Sequence, residues 1–180
     1  MIIPIFKSDI NIIDISITLF AAFYPGIMVF FILPLGSLPD LYGKKLLVLA
    51  FFVTWATDTF AYVFGVKLGK RKLCPSVSPN KTIEGSLGGL IGSIVIGVLF
   101  GLFINHFSEL SIDLYHFIVI GLLGGVVSQL GDLCASSIKR FCQVKDFGKL
   151  LPGHGGLLDR FDSLLFTMPT IYLYCLIFFS

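Results

Sequence analysis

The stretch Gln129–Asp162, which reads QLGDLCASSIKRFCQVKDFGKLLPGHGGLLDRFD, joins two apolar runs of the chain. It begins inside the first run, passes through a segment rich in charge and glycine, and ends where the second run begins. A run of about 20 apolar residues is long enough to cross the hydrocarbon layer of a bilayer as a helix. The pattern therefore predicts two membrane helices joined by a polar loop.

The composition of the whole chain agrees with a membrane environment. The chain is 56% hydrophobic and only 13% charged, with a mean hydropathy of +0.93. A surface built from such residues is not soluble, so we expect an integral membrane protein. The four cysteines, Cys74, Cys134, Cys142 and Cys175, form no CxxC pair, which argues against a zinc site and against a disulfide framework.

Further apolar runs extend this prediction to an all-α polytopic bundle of about five transmembrane helices. The predicted spans cover roughly residues 12–35, 45–66, 85–104, 116–138 and 163–179. Pro25 and Gly26 interrupt the first run, so it is either one kinked span or two re-entrant pieces. We divide the chain into an N-terminal membrane segment, residues 1–44, and a main transmembrane domain, residues 45–180.

Basic residues predict how the bundle is oriented. They are concentrated in two loops, with Lys67, Lys70, Arg71, Lys72 and Lys81 in one and Lys139, Arg140, Lys145, Lys149 and Arg160 in the other. Two spans separate these loops, so both face the same side, and the positive-inside rule makes that side cytoplasmic. The loop between them carries Glu109 and Asp113 but no lysine or arginine.

Two carboxylates fall inside predicted spans. Asp58 lies near the middle of the second span, and Asp132 lies in the inner half of the fourth, one turn from Ser136. A carboxylate at the centre of a membrane helix costs about 2.5–3.5 kcal/mol on insertion scales. We therefore expect both side chains to point into the bundle, either for helix packing or for function.

The two basic loops also carry the residue types that phosphate and cation chemistry requires. Guanidinium and ammonium groups hold phosphate oxygens, carboxylates hold hard cations, and glycine N–H groups can approach an anion closely. The candidates at the end of the fourth span and in the loop after it are Asp132, Ser136, Lys139, Arg140, Lys145, His154, Gly155, Gly156, Asp159, Arg160 and Asp162, and those in the earlier loop are Ser78, Lys81 and Thr82. The alternative interpretation of both loops is a solvated, positively charged connector.

The order of these residues resembles the signature of a known family. The matching segments are Ser136-x-Ile138-Lys139-Arg140, Lys145-Asp146-x-Gly148 and Leu151-Pro152-x-His154-Gly155-Gly156-Leu157-x-Asp159-Arg160-Phe161-Asp162. An upstream block, Trp55-x-x-Asp58-x-x-Ala61-Tyr62 followed by Ser78-Pro79-x-Lys81-Thr82-x-Glu84-Gly85, matches as well. Together they resemble the phosphatidate cytidylyltransferases, also called CDP-diacylglycerol synthases. Members of that family are usually longer, so we expect a shortened N-terminus.

The resemblance implies transfer of the cytidylyl group of CTP to phosphatidate, giving CDP-diacylglycerol and pyrophosphate, with dependence on one or two Mg²⁺ ions. It implies a catalytic domain over residues 45–180, with a signature loop over residues 132–162, on the cytoplasmic face of a bacterial inner membrane. The implied catalytic residues are Asp132, Lys139, Arg140, Lys145, Asp159 and Asp162. The implied metal ligands are Asp132, Asp159 and Asp162, with Asp58 as a further candidate, and Ser78, Lys81, Thr82, Ser136, His154, Gly155, Gly156 and Arg160 would bind substrate.

Two other functions stay open from the sequence. Intramembrane Asp58 and Asp132 would also suit a small ion-coupled transporter, and a shortened chain would suit an inactive lipid-binding remnant of the family. The chain has neither a GxxxxGK[ST] loop nor a GxGxxG motif, and nothing in it predicts a nucleic-acid surface. Because five spans enclose a polar stripe poorly, we also expect a homodimer.

Overall fold

The computed structural model describes residues 16, 18–19, 23, 26, 30–31, 42–107, 112–148, 156 and 158–179. Helix α1 spans Tyr42–Leu68, and two short strands follow it, β1 at Lys72–Cys74 and β2 at Ser78–Thr82. The remaining helices are α2 (Ile83–Phe107), α3 (Leu114–Phe141), α4 (Leu158–Phe161) and α5 (Leu164–Phe178).

Four helical segments within these ranges are long and apolar enough to cross a membrane. They are Lys44–Leu68, Ile83–Phe107, Leu114–Phe141 and Leu158–Phe178. The prediction of a polytopic helical membrane protein is thereby confirmed, and four of the five predicted spans coincide with these segments. The predicted first span, residues 12–35, lies largely outside the described residues, so its form stays a prediction.

The apolar core and the predicted site residues lie toward opposite ends of α1 and α3. The apolar core includes Leu49, Phe117 and Ile120, which lie near the start of α1 and near the start of α3. The opposite ends of these two helices lead into the hairpin and into the segment after Phe141, where the predicted site residues are concentrated. Apolar packing thus fixes the helices at one end and leaves the other end available for a polar site.

Glycines allow α1 and α2 to approach closely. A Cβ atom added at Gly88 would lie 2.4 Å from Cγ of Phe64, and one added at Gly92 would lie 2.4 Å from Cγ of Phe60. The two phenylalanine rings of α1 therefore fill the space that a side chain on α2 would need. This is the small-xxx-small packing that membrane helices use in place of hydrophobic burial.

The crossing of α2 and α3 provides a test of this packing. A Cβ atom added at Gly121 would lie 2.8 Å from the Ser93 backbone oxygen and 2.9 Å from Cα of Ile94, so the helices would have to separate. We expect Gly121→Ala to lower the free energy of unfolding by about 1–3 kcal/mol. The measurement is unfolding in mixed detergent micelles.

The matched control for that substitution is Gly26→Ala, because an added Cβ at Gly26 would meet no atom of the described residues within 4 Å. We expect it to leave stability unchanged. Equal stability of the Gly121→Ala and wild-type proteins would contradict close helix packing at this crossing.

The segment between α1 and α2 is a β-hairpin, whereas the sequence was interpreted as a loop. Its strands are antiparallel, with Lys72 opposite Thr82 and Cys74 opposite Ser78. Strand β1 has only three residues, and β2 has five, among them Pro79 and Asn80. Such short strands carry almost no β-propensity signal, so the sequence did not predict the hairpin.

Glu84 connects the base of this hairpin to α2. One carboxylate oxygen of Glu84 accepts hydrogen bonds from the backbone N–H groups of Lys70 at 3.1 Å and Arg71 at 3.2 Å. The Thr82 hydroxyl accepts from the Gly85 N–H at 3.1 Å, as a helix N-cap does. The hairpin is therefore fixed over the start of α2.

Candidate active site

A cavity of about 460 Å³ opens where α1, β2, α2 and α3 meet. Its polar and charged lining comes from all four elements, namely Asp58 and Tyr62 of α1, Asn80, Lys81 and Thr82 of β2, Ser86 of α2, and Gln129 and Asp132 of α3. The apolar part of the wall includes Ala61, Val66 and Leu73. A concave site with an apolar wall and a few convergent polar groups is the usual form of a small-molecule site.

An ion pair between Lys81 and Asp132 joins the hairpin to α3 across this cavity. The two side chains are 26% and 28% exposed, so the pair is accessible from the cavity and still partly shielded from solvent. The Ser136 hydroxyl lies 3.5 Å from the other oxygen of Asp132, at the outer limit of a hydrogen bond. Asp132 is thus held from both sides.

A second group of charges, here called the Lys139 cluster, consists of Lys139, Asp159 and Asp162. The Lys139 ammonium lies 2.9 Å from Asp159 Oδ1 and 3.9 Å from Asp162 Oδ2. It also lies 5.2 Å from the centre of the Phe147 ring, within the range of a cation–π contact. The three side chains are only 7–12% exposed, so each depends on the others for compensation of its charge.

Asp159 joins two separate parts of the signature loop. Its Oδ2 atom accepts hydrogen bonds from the backbone N–H groups of Phe147 and Gly156, each at 2.9 Å. A side chain at Gly156 would not fit, because an added Cβ would lie 2.7 Å from the Gly148 backbone nitrogen. The glycine therefore permits the two chain segments to meet at this carboxylate.

The contacts of Asp159 differ from those expected of a metal ligand. Both of its oxygens already accept from an ammonium or from backbone N–H groups. In this structure Asp159 anchors the loop, and metal binding by Asp159 stays a prediction.

Carboxylates outnumber ammonium groups across the cavity and the Lys139 cluster. Asp58 is close enough to Asp132 and Asp162 for their charges to interact, and Asp162 also interacts with Asp132. Together with Asp159 these make four carboxylates, and Lys81 and Lys139 form ion pairs with three of them. The excess of negative charge favours a bound cation.

The donor set suits Mg²⁺. Among the described residues, no three His, Cys, Asp or Glu side chains are grouped so that they could hold one metal ion. Mg²⁺ commonly uses one or two carboxylates together with water and substrate phosphate oxygens, so a complete protein cage is not required. Asp132 and Asp162, with Asp58 nearby, fit that requirement.

The other predicted residues have the following positions. Arg140 is exposed, and its Nε atom donates to the Val77 backbone oxygen at 3.3 Å, which ties the end of α3 to the hairpin turn. Lys145 and Arg160 are exposed, and Ser78 lies at the start of β2, opposite Cys74. His154 and Gly155 lie outside the described residues.

Sequence reasoning missed several residues that line the cavity. It assigned no site role to Tyr62, Asn80, Ser86 or Gln129. One available signal was the amide of Gln129 inside an apolar run, because a polar side chain in a membrane helix needs a partner or a function. The partner, Ser86, lies on another helix and was not identifiable from spacing.

Comparisons with known proteins identify relatives over nearly the whole chain. A family model described as "Cytidylyltransferase family" matches residues 2–178. The phosphatidate cytidylyltransferase of Bacillus subtilis is 42% identical over 166 residues, which is 92% of this chain and 60% of that protein. Phosphatidate cytidylyltransferases of Staphylococcus saprophyticus and Staphylococcus haemolyticus are 40% and 39% identical, with the same coverage. The chain thus spans about 60% of the length of these relatives.

Proposed function

This chain belongs to the cytidylyltransferase family, and from that premise we propose that it transfers the cytidylyl group of CTP to phosphatidate. The products are CDP-diacylglycerol and pyrophosphate. The observation that carries the proposal is the cavity with the Lys81–Asp132 ion pair, next to the buried Lys139 cluster, at the polar end of a membrane bundle. Relatives named phosphatidate cytidylyltransferase support the choice of substrates.

The reaction joins two phosphate groups. An oxygen of the phosphatidate monoester forms a bond to the α-phosphorus of CTP, and the bond from that phosphorus to the β-phosphate oxygen breaks as pyrophosphate leaves. The monoester is already largely dianionic near neutral pH, so the reaction needs little general base catalysis. Positioning and charge compensation dominate, as in phosphoryl transfer generally.

Exposed and buried side chains have different roles in positioning and charge compensation. Exposed Arg140, Lys145 and Arg160 hold phosphate oxygens of CTP or of the lipid. Partly buried Lys139 fixes Asp159 and Asp162, and Asp159 in turn accepts hydrogen bonds from the backbone N–H groups of Phe147 and Gly156. Asp132 and Asp162 are the carboxylates that would hold Mg²⁺, together with water and phosphate oxygens of the substrates. Mg²⁺ bound there would offset the negative charge of the nucleotide phosphates.

We place the site on the cytoplasmic face of the membrane. The charged residues of the hairpin and of the signature loop lie at the same end of the bundle, joined by the Arg140–Val77 hydrogen bond. Basic loops of this kind stay on the cytoplasmic side. We further propose that this membrane is the bacterial inner membrane, and the bacterial origin of the relatives supports a bacterial membrane.

A homodimer would shield the polar cavity from lipid. On the part of the chain that is described, Asp58 is exposed and Tyr62 is 73% exposed, although both lie within a membrane-spanning helix. A second copy packed on this side would cover them. Cross-linking in native-like membranes measures this, and a fully active protein that is found only as a monomer would contradict it.

The transferase is favoured over the ion-coupled transporter because the matched relatives are named for the transferase reaction. An inactive lipid-binding remnant would share the fold and lack turnover. The test is pyrophosphate release by the purified full chain in mixed micelles that contain phosphatidate and CTP, with and without Mg²⁺. We expect release only when both substrates and the metal are present. A folded protein that gives no release under these conditions contradicts the proposed activity.

A further inference from the structure

Gln129 and Ser86 form a two-point contact between α3 and α2 at the cavity wall. The Ser86 hydroxyl donates to Gln129 Oε1, and Gln129 Nε2 donates to the Ser86 backbone oxygen at 3.1 Å. Both residues line the cavity. Ser86 lies in the first turn of α2, so this contact is near the hairpin end of the bundle.

The Ser86 backbone oxygen fixes the orientation of the Gln129 amide. A carbonyl oxygen only accepts hydrogen bonds, so it requires the NH₂ group of the amide and rejects the amide oxygen. The Ser86 contacts use one lone pair of Oε1 and one proton of Nε2. One lone pair of Gln129 Oε1 and one N–H of Gln129 Nε2 remain for a ligand. Because the amide cannot flip, the acceptor and the donor keep these positions.

The cavity suits the uncharged end of the nucleotide better than the whole triphosphate. Asp58 and Asp132 contribute two carboxylates to the lining, and Lys81 contributes one ammonium group. Phosphates are held better by the exposed basic residues of the signature loop. The uncharged end of the nucleotide suits the cavity better, because Tyr62 offers an aromatic face on which a base can stack.

The arrangement along α3 is consistent with this division. Gln129 precedes Asp132 by one turn and Lys139 by about 15 Å of helix. A nucleotide with its base at Gln129 would extend along the helix past Asp132 toward the basic loop. Its phosphates would then lie where Arg140 and Lys145 are exposed.

We infer that Gln129 reads the base of the nucleotide, with its fixed amide oxygen accepting a hydrogen bond from the 4-amino group of cytosine. This inference rests on the proposed function and adds the residue that selects the base. Cytosine presents a donor at this position, whereas uracil presents a carbonyl oxygen that would repel Oε1. Gln129 therefore favours CTP over UTP.

The test compares CTP with the analogue in which hydrogen replaces the 4-amino group. We expect the wild-type full chain to use CTP with a kcat/KM about 10- to 100-fold higher than that of the analogue. In Gln129→Met, which keeps the volume and removes both polar groups, this preference should shrink to about threefold or less. A residue with only a structural role would lower both values equally and leave the ratio unchanged.

Gln143→Met is the matched control, since Gln143 is exposed in the turn after α3. It should keep the wild-type ratio. A wild-type protein that uses CTP and the analogue equally well overturns the inference whether or not the Gln129 variant folds. Failure of the wild-type protein to make product from CTP would overturn the proposed function itself, so the two failures are distinguishable.

Discussion

Lys139→Met is expected to reduce cytidylyl transfer at least about 10³-fold and to destabilise the protein. The substitution leaves Asp159 and Asp162 buried without their shared ammonium group, which stands 2.9 Å from one and 3.9 Å from the other. Breaking a buried ion pair on one side costs about 3–5 kcal/mol. The measurements are kcat/KM for CTP and the free energy of unfolding in mixed micelles.

A second substitution separates stability from catalysis in this experiment. The double variant Lys139→Met with Asp159→Asn removes one of the two orphaned charges, so we expect part of the stability to return and the activity to stay low. Lys72→Met, at an exposed lysine of β1, is the control that should behave like wild type. A Lys139→Met protein with activity within tenfold of wild type would show that the cluster is unrelated to the reaction.

Asp132→Asn is expected to lower turnover by about 10²–10³-fold with a much smaller effect on stability. Asp132 is 28% exposed and faces the cavity, so loss of its charge is less costly to the fold than loss of Lys139. If Asp132 holds Mg²⁺, the concentration of Mg²⁺ that gives half-maximal rate should also rise. The measurement is the rate of pyrophosphate release over a Mg²⁺ titration.

Asp113→Asn is the matched control, because Asp113 is exposed at the start of α3 and its side chain forms no cap hydrogen bond there. We expect its Mg²⁺ titration to coincide with that of wild type. An Asp132→Asn protein with unchanged Mg²⁺ dependence and turnover would place the metal elsewhere.

All four described membrane segments were predictable from hydropathy, whereas the contacts between them were not. Runs of apolar residues fixed four spans, and the two basic loops were correctly assigned to one end of the bundle. The β-hairpin was missed because it is held by Glu84 and by helix contacts, which leave no periodic pattern in a short strand. The hairpin thus forms because of tertiary hydrogen bonds, which a local sequence pattern does not show.

The residue types of the candidate site were predictable, whereas their pairing was not. Asp132 and Asp159 were both expected to bind metal. The structure gives Asp132 the partner Lys81 from β2, and gives Asp159 the partners Lys139, Phe147 and Gly156. Such pairings depend on how the helices are arranged, and helix spacing alone does not contain that information.

The most direct test of cytidylyl transfer follows two labels through one reaction with phosphatidate, Mg²⁺ and the purified full chain. CTP labelled at the α-phosphorus should transfer its label to a lipid that is extracted into organic solvent. CTP labelled at the γ-phosphorus should give labelled pyrophosphate and no labelled lipid. Recovery of the γ label in the lipid would show phosphoryl transfer instead, and retention of both labels on soluble CTP would show that the chain does not catalyse the reaction.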